Sequence, residues 1–464
     1  MRRIKFLKSD FATLRAHLLR GATADEEAAL LLTSSRADSD DLDLLVRRVV
    51  PVPDDALLSK HRAGLEIAPD FIAPLLKEAR RDRGGIIVCH SHPFSTTSVH
   101  FSGIDDGGEE ALFPRMQART PGPHASIVFG QESCDARVWL VDSSGPVAVD
   151  ELTIIGDSVE SIATCSARAK RPALSLDESV ARQILAIGEA AQRRLSAARV
   201  GVVGAGGLGS LICDALIRMG VGAIVPVDRD ALKQHNLARQ ANGGSDDVGA
   251  KKVSTIEAAA KRIGFGTHVQ PVAQWIQEAY AARALLGCDV VIAVTDNMKS
   301  RVFAARLGHQ YAIPIVSAGI DVIASATGTP PRVGGHVAVQ HVDGRCLDCL
   351  GLIDHAMLDR ENMTKAVRQA NPYRQGRGPD DPAPSAIAFN QTVSGLVATE
   401  VLQLLTASLR SDPTATYLVY DGNTGETKRV YAKAVTRCHV CDEVRLRGDA
   451  LPLPIEAAEP LIDC

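Results

Sequence analysis

Arg199-Val-Gly-Val-Val-Gly-Ala-Gly-Gly-Leu-Gly-Ser210 is the stretch that decides how this chain is read. The valine-rich run from Arg199 to Val203 predicts a buried strand, and the apolar periodicity of Leu208 to Met219 predicts a helix. Between them Gly204, Gly206, Gly207 and Gly209 supply the G-x-G-x-x-G spacing, where missing side chains let backbone approach a phosphate at a helix N-terminus. A second strand, Ala223 to Asp228, ends on a carboxylate 19 residues beyond Gly209, placed to accept ribose hydroxyls. Taken alone, this pattern suits a dinucleotide oxidoreductase as well as an enzyme that spends a nucleoside triphosphate.

The residues that follow separate the two. His235-Asn236-Leu-Ala-Arg239-Gln240, Val248-Gly-Ala-Lys-Lys252 and Thr295-Asp296-Asn297 bring an amide, a guanidinium, an ammonium and a metal-binding carboxylate to one nucleotide. Hydride transfer needs none of these cations, whereas attack of a carboxylate on an α-phosphate needs its charge neutralised throughout. Further buried strands over Cys288 to Val294 and Pro314 to Ser317, with helices between, predict a doubly wound, Rossmann-like α/β parallel sheet.

From roughly residue 176 to 445 this set resembles the ThiF/MoeB adenylyltransferases and the adenylation domain of ubiquitin-activating enzymes. The resemblance implies that the glycine loop holds the phosphates of ATP and Asp228 the ribose. It gives the triphosphate to Asn236, Arg239 and Lys252, with Gln240 assisting, and Mg2+ to Asp296. Ser179-Val-Ala-Arg182-Gln-Ile184 matches the family's leading helix, whose Arg reaches the ATP of the partner subunit, so a homodimer is expected. A thioester-forming cysteine, present in the crossover loop of many relatives, is missing between residues 350 and 437. Three outcomes stay open: the reaction stops at the acyl adenylate, a hydroxyl such as Ser385 or Thr392 receives an oxyester, or a cysteine elsewhere serves. Cys213 and Cys288 read as core, and Cys165 as the most accessible thiol by composition.

Cys346-Leu-Asp-Cys349 and Cys438-His-Val-Cys441 are two C-x-x-C pairs whose four thiolates would close a zinc tetrahedron, a structural site with no open position. They match the zinc knot of the same family. Residues 371–384 carry a turn-former or charge at nearly every place and are expected to form an irregular loop, followed by a helix from Ala386 to Leu405.

The N-terminal third has a different texture. Short alternating stretches at Leu42 to Val52, Gly85 to Cys89, Ala125 to Phe129 and Arg137 to Val141 predict strands, and helical patterns are read around Ala24 to Leu32 and Asp70 to Arg81, giving an α+β domain. Within it, His90-Ser-His92-Pro93 and Ser102-Gly-Ile-Asp105 offer two imidazoles and a carboxylate. Three protein ligands leave a fourth position for water, the construction of a catalytic zinc site. His90 and His92 alternate at the end of a strand, which points both imidazoles to one side.

Here the chain resembles the JAMM (Mov34/MPN/JAB) metalloproteases, whose pattern is an upstream Glu, His-x-His-Pro and Ser-x-x-Asp. Carried over, His90, His92 and Asp105 ligate zinc, Glu26 shuttles protons and Ser102 supports the oxyanion, with Glu27 as the alternative base. Nine residues separate His92 from Ser102, about two more than the family's pattern, in a Ser/Thr-rich loop. His100 and His124 fall outside the motif and read as surface residues.

With 464 residues, 45% of them hydrophobic, and a net charge of -4, the chain has material for large cores and no cationic stripe that would favour nucleic acid. It has no apolar run long enough to span a membrane, no signal peptide and no disulfide-like cysteine spacing, which together predict a cytoplasmic protein. The expected organisation is a JAB/MPN domain over 1–156, a linker over 157–175 and an adenylation domain with a four-cysteine zinc knot over 176–464. The implied function is that of a bifunctional enzyme in a bacterial ubiquitin-like conjugation system. It would adenylate the C-terminal Gly of a ubiquitin-like modifier and cleave peptide or isopeptide bonds after that terminus, working beside a conjugating enzyme. Rival readings are sulfur-carrier protein activation and processing, and a catalytically dead binding scaffold.

Overall fold

Runs of apolar residues become the central strands of two large sheets in the computed structural model. It describes every residue except 21–24, 39–40, 62–63, 142, 144, 170–177, 324–329, 365–366, 368–383, 410–416, 432–437 and 457–464. Strands of the first half are, in chain order, β1 (Arg2–Leu7), β2 (Ala28–Ala37), β3 (Leu42–Pro51), β4 (Leu57–His61), β5 (Gly64–Ile67), β6 (Gly85–Ser91), β7 (His124–Phe129), β8 (Cys134–Trp139), β9 (Val147–Ala148), β10 (Glu151–Ile155) and β11 (Val159–Ala163). Nine of them form one sheet in the order β11-β10-β1-β3-β2-β6-β7-β8-β9, and β4 and β5 make a separate hairpin. The helix Lys8–Leu18 packs Leu14 and Leu18 on one face of that sheet with Phe6, Leu31 and Ile87. On the other face the helices Pro69–Arg81 and Gly103–Arg119 bury Leu75, Leu76, Phe113 and Met116 against Leu30 and Ile86.

Two expectations change. The helix read around Ala24 to Leu32 is instead strand from Ala28 on, paired on both sides with β3 and β6. Its even-numbered residues enter one core and its odd-numbered residues the other, so every position is apolar and the period of two is erased from the sequence. The expected linker also starts later, because β11 pairs antiparallel with β10 and the helix Cys165–Arg168 follows it.

In the second half, β12 (Arg199–Val203), β13 (Ala223–Val227), β14 (His268–Val269), β15 (Val290–Ala293) and β16 (Ile315–Ile323) run parallel in the order β14-β13-β12-β15-β16. Antiparallel β17 (Arg332–Gln340), β18 (Tyr417–Asp421) and β19 (Glu426–Arg429) extend that sheet, an addition the glycine-rich and polar patterns of these segments did not announce. The expected helix after the long loop is present as Ile387–Thr406 and packs Val393, Val397 and Val401 against Ile212 and Leu216. Residues 371–383 of the expected loop lie outside the described residues.

The two halves meet through buried charge and a small apolar cluster. Asp43 on β3 accepts from Arg3 at 2.8 Å, with Lys5 at 3.2 Å and Arg36 at 3.6 Å, and Arg3 reaches Asp289 of the second half at 3.6 Å. Leu7, Leu45 and Ile155 pack with Ala312, Val342 and Leu446. The stretch Leu446 to Asp449 works as a brace: its carbonyl at 446 accepts the Ser34 hydroxyl, and Asp449 accepts the Ala37 amide at 2.9 Å and the Tyr311 hydroxyl at 3.0 Å.

Candidate nucleotide and metal sites

Between β12 and the helix Gly207–Arg218 the chain turns through Gly204, whose φ of 95° favours glycine. A Cβ on Gly204 would come within 2.9 Å of the Val294 carbonyl, and one on Gly209 would collide with the carbonyl of Gly204. The loop is therefore close-packed from two sides, and its amides lead into a helix N-terminus suited to an anion.

Asp228, just past β13, accepts the Ala205 amide at 2.7 Å and the Asp230 amide at 2.8 Å. Burial raises its carboxyl above the ordinary range, while the Lys252 ammonium opposes that shift. Lys252 opens the helix Lys252–Ile263 and lies 2.8 Å from Asp230 and 3.8 Å from Asp228, so the ammonium is held at the mouth of the loop by two carboxylates. Gln240 is buried and donates to the Ala205 carbonyl at 2.7 Å, which makes it a support of the loop. Asn236 is buried and accepts the Lys233 amide at 3.0 Å, and Arg239 is half-buried with its carbonyl beside Gly207. Asp296 is exposed beyond β15 on the same edge of the sheet.

Several groups around this edge went unread in the sequence. Asn390, near the start of the helix Ile387–Thr406, sits against Gly207 and donates to Ser385 at 3.2 Å. Ser385 thus lies beside the loop, whereas Thr392 bonds its own helix at Ala388. Arg301 is buried and donates to the Thr295 carbonyl at 3.2 Å, and Glu361 accepts the amides of Met298 and Lys299 at 2.9 and 3.0 Å. An Asn, an Arg and a Glu inside ordinary helical patterns carry no local signal; packing sets Asn390 against the loop and Arg301 and Glu361 against the segment after β15.

Arg182 does not join this site within one chain. It is exposed on the helix Ala181–Ile187, which buries none of its residues and leaves Leu185 88% exposed. Cys165, read as the accessible thiol, is instead buried with Val99 and Val128. Cys213 and Cys288 are core residues, with burial raising both thiols.

Sulfur atoms of Cys346, Cys349, Cys438 and Cys441 converge, all within 4.8 Å of one another, with 3.4 Å between the first and third and 3.7 Å between the second and fourth. Such spacing suits a tetrahedron of thiolates with metal-sulfur bonds of about 2.3 Å.

The N-terminal constellation assembles at the end of β6. Imidazoles of His90 and His92 lie 5.0 Å apart between ring centres, as alternation along the strand requires. Glu26, at the approach to β2, comes within 3.4 Å of His92. Asp105 lies 3.1 Å from His90 and 3.6 Å from His92. Ser102 caps the helix Gly103–Arg119 and accepts the Asp105 amide at 3.3 Å, while Asp105 accepts the Ser102 amide at 2.6 Å. Nε2 of His90 is buried and makes no hydrogen bond, although a carboxylate oxygen of Asp105 lies 3.1 Å away. Glu27 faces away, with Lys60 at 2.8 Å and Arg20 at 3.4 Å.

Burial raises the Glu26 carboxyl to about 7 against the opposing charge of His90, and burial also lowers His92. Asp105 is driven the other way: burial alone would raise it, but His90 and the Ser102 amide hold it well below the usual carboxylate range. The longer loop between His92 and Ser102 is tied to the turn at 130–133, where the Gln131 amide donates to Ser95 at 2.8 Å, and is anchored by buried Val99. Phe101 then lies beneath the Arg137 guanidinium at 3.9 Å. His100 is exposed and pairs with Asp135, but His124 is a core residue, contrary to its reading as surface, accepting the Ile86 amide at 3.1 Å and bonding the Thr120 carbonyl.

Comparison with known proteins gives one family match, the ThiF family, over residues 180–440, more than half of the chain. The chain is similar to SAMP-activating enzyme E1 of Haloferax volcanii, 32% identical over 164 residues, which are 35% of this chain and 57% of that protein. It is also similar to adenylyltransferase and sulfurtransferase MOCS3 of Mus musculus, 34% identical over 187 residues, 39% of this chain and 38% of that protein. Both matches therefore leave much of the relative's length uncovered. Among solved structures, E. coli MccB with MccA-N7isoASN aligns at 18% identity and a TM-score of 0.47 over 57% of this chain and 75% of that one. No helix among the described residues is long and apolar enough to cross a membrane.

Proposed function

Because the chain belongs to the ThiF family, we propose that residues 176–464 use ATP and Mg2+ to adenylate the C-terminal carboxylate of a small ubiquitin-like or sulfur-carrier protein. We propose also that residues 1–156 hold zinc and cut peptide or isopeptide bonds after that same terminus. One recognised tail then serves both halves, and a conjugating enzyme is the expected recipient of the activated modifier.

Adenylation is supported best by Lys252, held at the lip of a glycine loop whose other side carries Asp228. In the reaction a carboxylate oxygen bonds to the α-phosphorus, the bond to the bridging oxygen breaks and pyrophosphate departs. Lys252, Arg239 and the loop amides would neutralise the phosphates, and Asp296 would hold Mg2+. The test is ATP-pyrophosphate exchange dependent on a small protein ending in Gly. Lys252→Ala and Asp296→Ala should each slow it by about 10²-fold or more; exchange at the wild-type rate in both overturns the reading.

Peptide cleavage is supported by the convergence of Glu26, His90, His92 and Asp105 from three separate segments. Zinc held by His90, His92 and Asp105 would supply Lewis acidity to water and to the scissile carbonyl. Glu26, with its carboxyl raised to about 7, can accept a proton and return it to a departing amine at neutral pH. Ser102 retains a hydroxyl proton to offer an oxyanion, because it acts in its cap as an acceptor.

Sulfur transfer is the second reading, favoured by the sulfurtransferase named in the mouse relative. Labelled modifier recovered on lysines supports conjugation, and recovery as a thiocarboxylate supports the carrier reading.

A further inference from the structure

At the end of the parallel sheet opposite the glycine loop, a cleft of about 1250 Å³ opens between the two halves. Six guanidinium groups line it: Arg3 and Arg36 from the first half, and Arg193, Arg194, Arg199 and Arg283 from the second. Four carboxylates, Asp38, Asp41, Glu151 and Asp289, share that lining, which leaves its side chains with an excess of two positive charges. The two walls differ in how they are compensated.

Arg3 is matched by Asp43 at 2.8 Å, and Arg36 by Asp41 at 3.5 Å and Asp43 at 3.6 Å. The opposite wall is less well matched. Arg193 pairs at 2.6 Å with Glu189 of its own exposed helix surface. Arg194 reaches Asp289 at 3.9 Å, and its Nε and Nη2 make no hydrogen bond. Arg199 gives its guanidinium to the neutral amide of Gln270. Arg283 is exposed on the helix Ala279–Leu286 and has no ion-pair partner among the described residues. Guanidinium is the side chain suited to planar, two-pronged binding of phosphate, and like charges crowded in a partly desolvated cleft repel unless an anion joins them.

We propose that this cleft binds a polyphosphate anion that touches both halves at once, held by Arg194, Arg199 and Arg283. The site is separate from the loop at Gly204, since Arg199 opens β12 and Gly204 follows its other end. An anion there would link the packing of the first half to that of the second.

The test uses the full chain carrying Lys252→Ala, Arg239→Ala and Asp296→Ala, which takes the side-chain phosphate and Mg2+ ligands from the nucleotide site, and measures inorganic pyrophosphate by equilibrium dialysis with a radioactive label. Saturable binding of one pyrophosphate per chain is expected. Adding Arg283→Glu and Arg193→Ala, both on exposed positions, should weaken it at least 10-fold while thermal unfolding stays at its former midpoint. Absence of saturable binding in the first protein, or equal binding after the arginine changes, overturns the proposal. ATP-pyrophosphate exchange by protein with Lys252, Arg239 and Asp296 intact reports on adenylation separately, so failure of either reading is distinguishable.

Discussion

The Lys5 ammonium donates to the main-chain carbonyl of Tyr311 at 3.2 Å, a bond from the first strand of one sheet to the last turn of a helix packed on the other. Lys5 is buried and shares one carboxylate, Asp43, with Arg3 and Arg36. Burial lowers Lys5 from 10.5 to about 8 against the attraction of Asp43, and Arg3 adds to the lowering. Burial would raise Asp43, but the three cations together hold it well below the usual carboxylate range. Both partners thus shift downward for different reasons: burial drives Lys5 down, and the surrounding cations drive Asp43 down.

Asp43→Asn should therefore destabilise the fold by about 3–5 kcal/mol, because it removes the carboxylate shared by three buried cations and leaves Arg3 and Arg36 with their contacts to Asp289 and Asp41. The sign with pH follows from the two shifts. Asp43 contributes stability above the ordinary carboxylate pKa of about 3.9, lost as pH falls toward its lower folded value. Lys5 binds its proton less tightly folded than unfolded, so stability rises between about pH 8 and 10.5. Urea unfolding across pH should show a shallower acid limb in Asp43→Asn; an unchanged limb removes Asp43 from the account.

Arg182 and Leu185 stand exposed on a helix with no buried residue, a surface that the proposed homodimer would cover. Arg182→Ala and Asp296→Ala, each inactive in exchange assays alone, should partly restore activity when mixed and allowed to swap subunits, since one hybrid site then has every group. Mixed dimers with no activity above the two parents would place Arg182 outside the partner's site.

Two zinc ions per chain are expected after reconstitution, held unequally. The hard-ligand site with its open position should yield to chelators first, whereas the four-thiolate site should persist. Cys441→Ser should loosen the brace that follows it, where Leu446 and Asp449 hold β2, and lower the unfolding midpoint of the whole chain. Metal analysis finding one zinc per chain would refute the pair.

Much of this was legible because the informative residues are close in sequence. The loop from Gly204 to Gly209 sits between a strand and a helix that its own composition predicts, and the histidines at 90 and 92 end a strand of isoleucine and valine. Ala28 to Leu32 was misread because a strand buried on both faces shows no alternation. Asn390, Arg301 and Glu361 were invisible because each reaches the site only through tertiary packing. Glu26 and Glu27 differ in a way no local pattern encodes: Lys60 and Arg20 pair with Glu27.

That contrast gives the most discriminating test of the proposed peptidase. Glu26 lies 3.4 Å from His92, is almost wholly buried and has its carboxyl raised to about 7, whereas Glu27 is engaged by two cations. Glu26→Ala should cut cleavage of a modifier fused through its terminal Gly by about 10²–10⁴-fold, the usual worth of a positioned proton carrier. Zinc should remain bound, since His90, His92 and Asp105 are untouched, and exchange with ATP should continue in the other half. His92→Ala should lose both zinc and cleavage. Glu27→Ala should leave cleavage nearly intact and lower stability through the loss of Lys60 and Arg20 as partners. If Glu26→Ala cleaves at the wild-type rate, proton transfer belongs to another group; if zinc-loaded wild-type protein never cleaves such a fusion, the first half binds the modifier without cutting it.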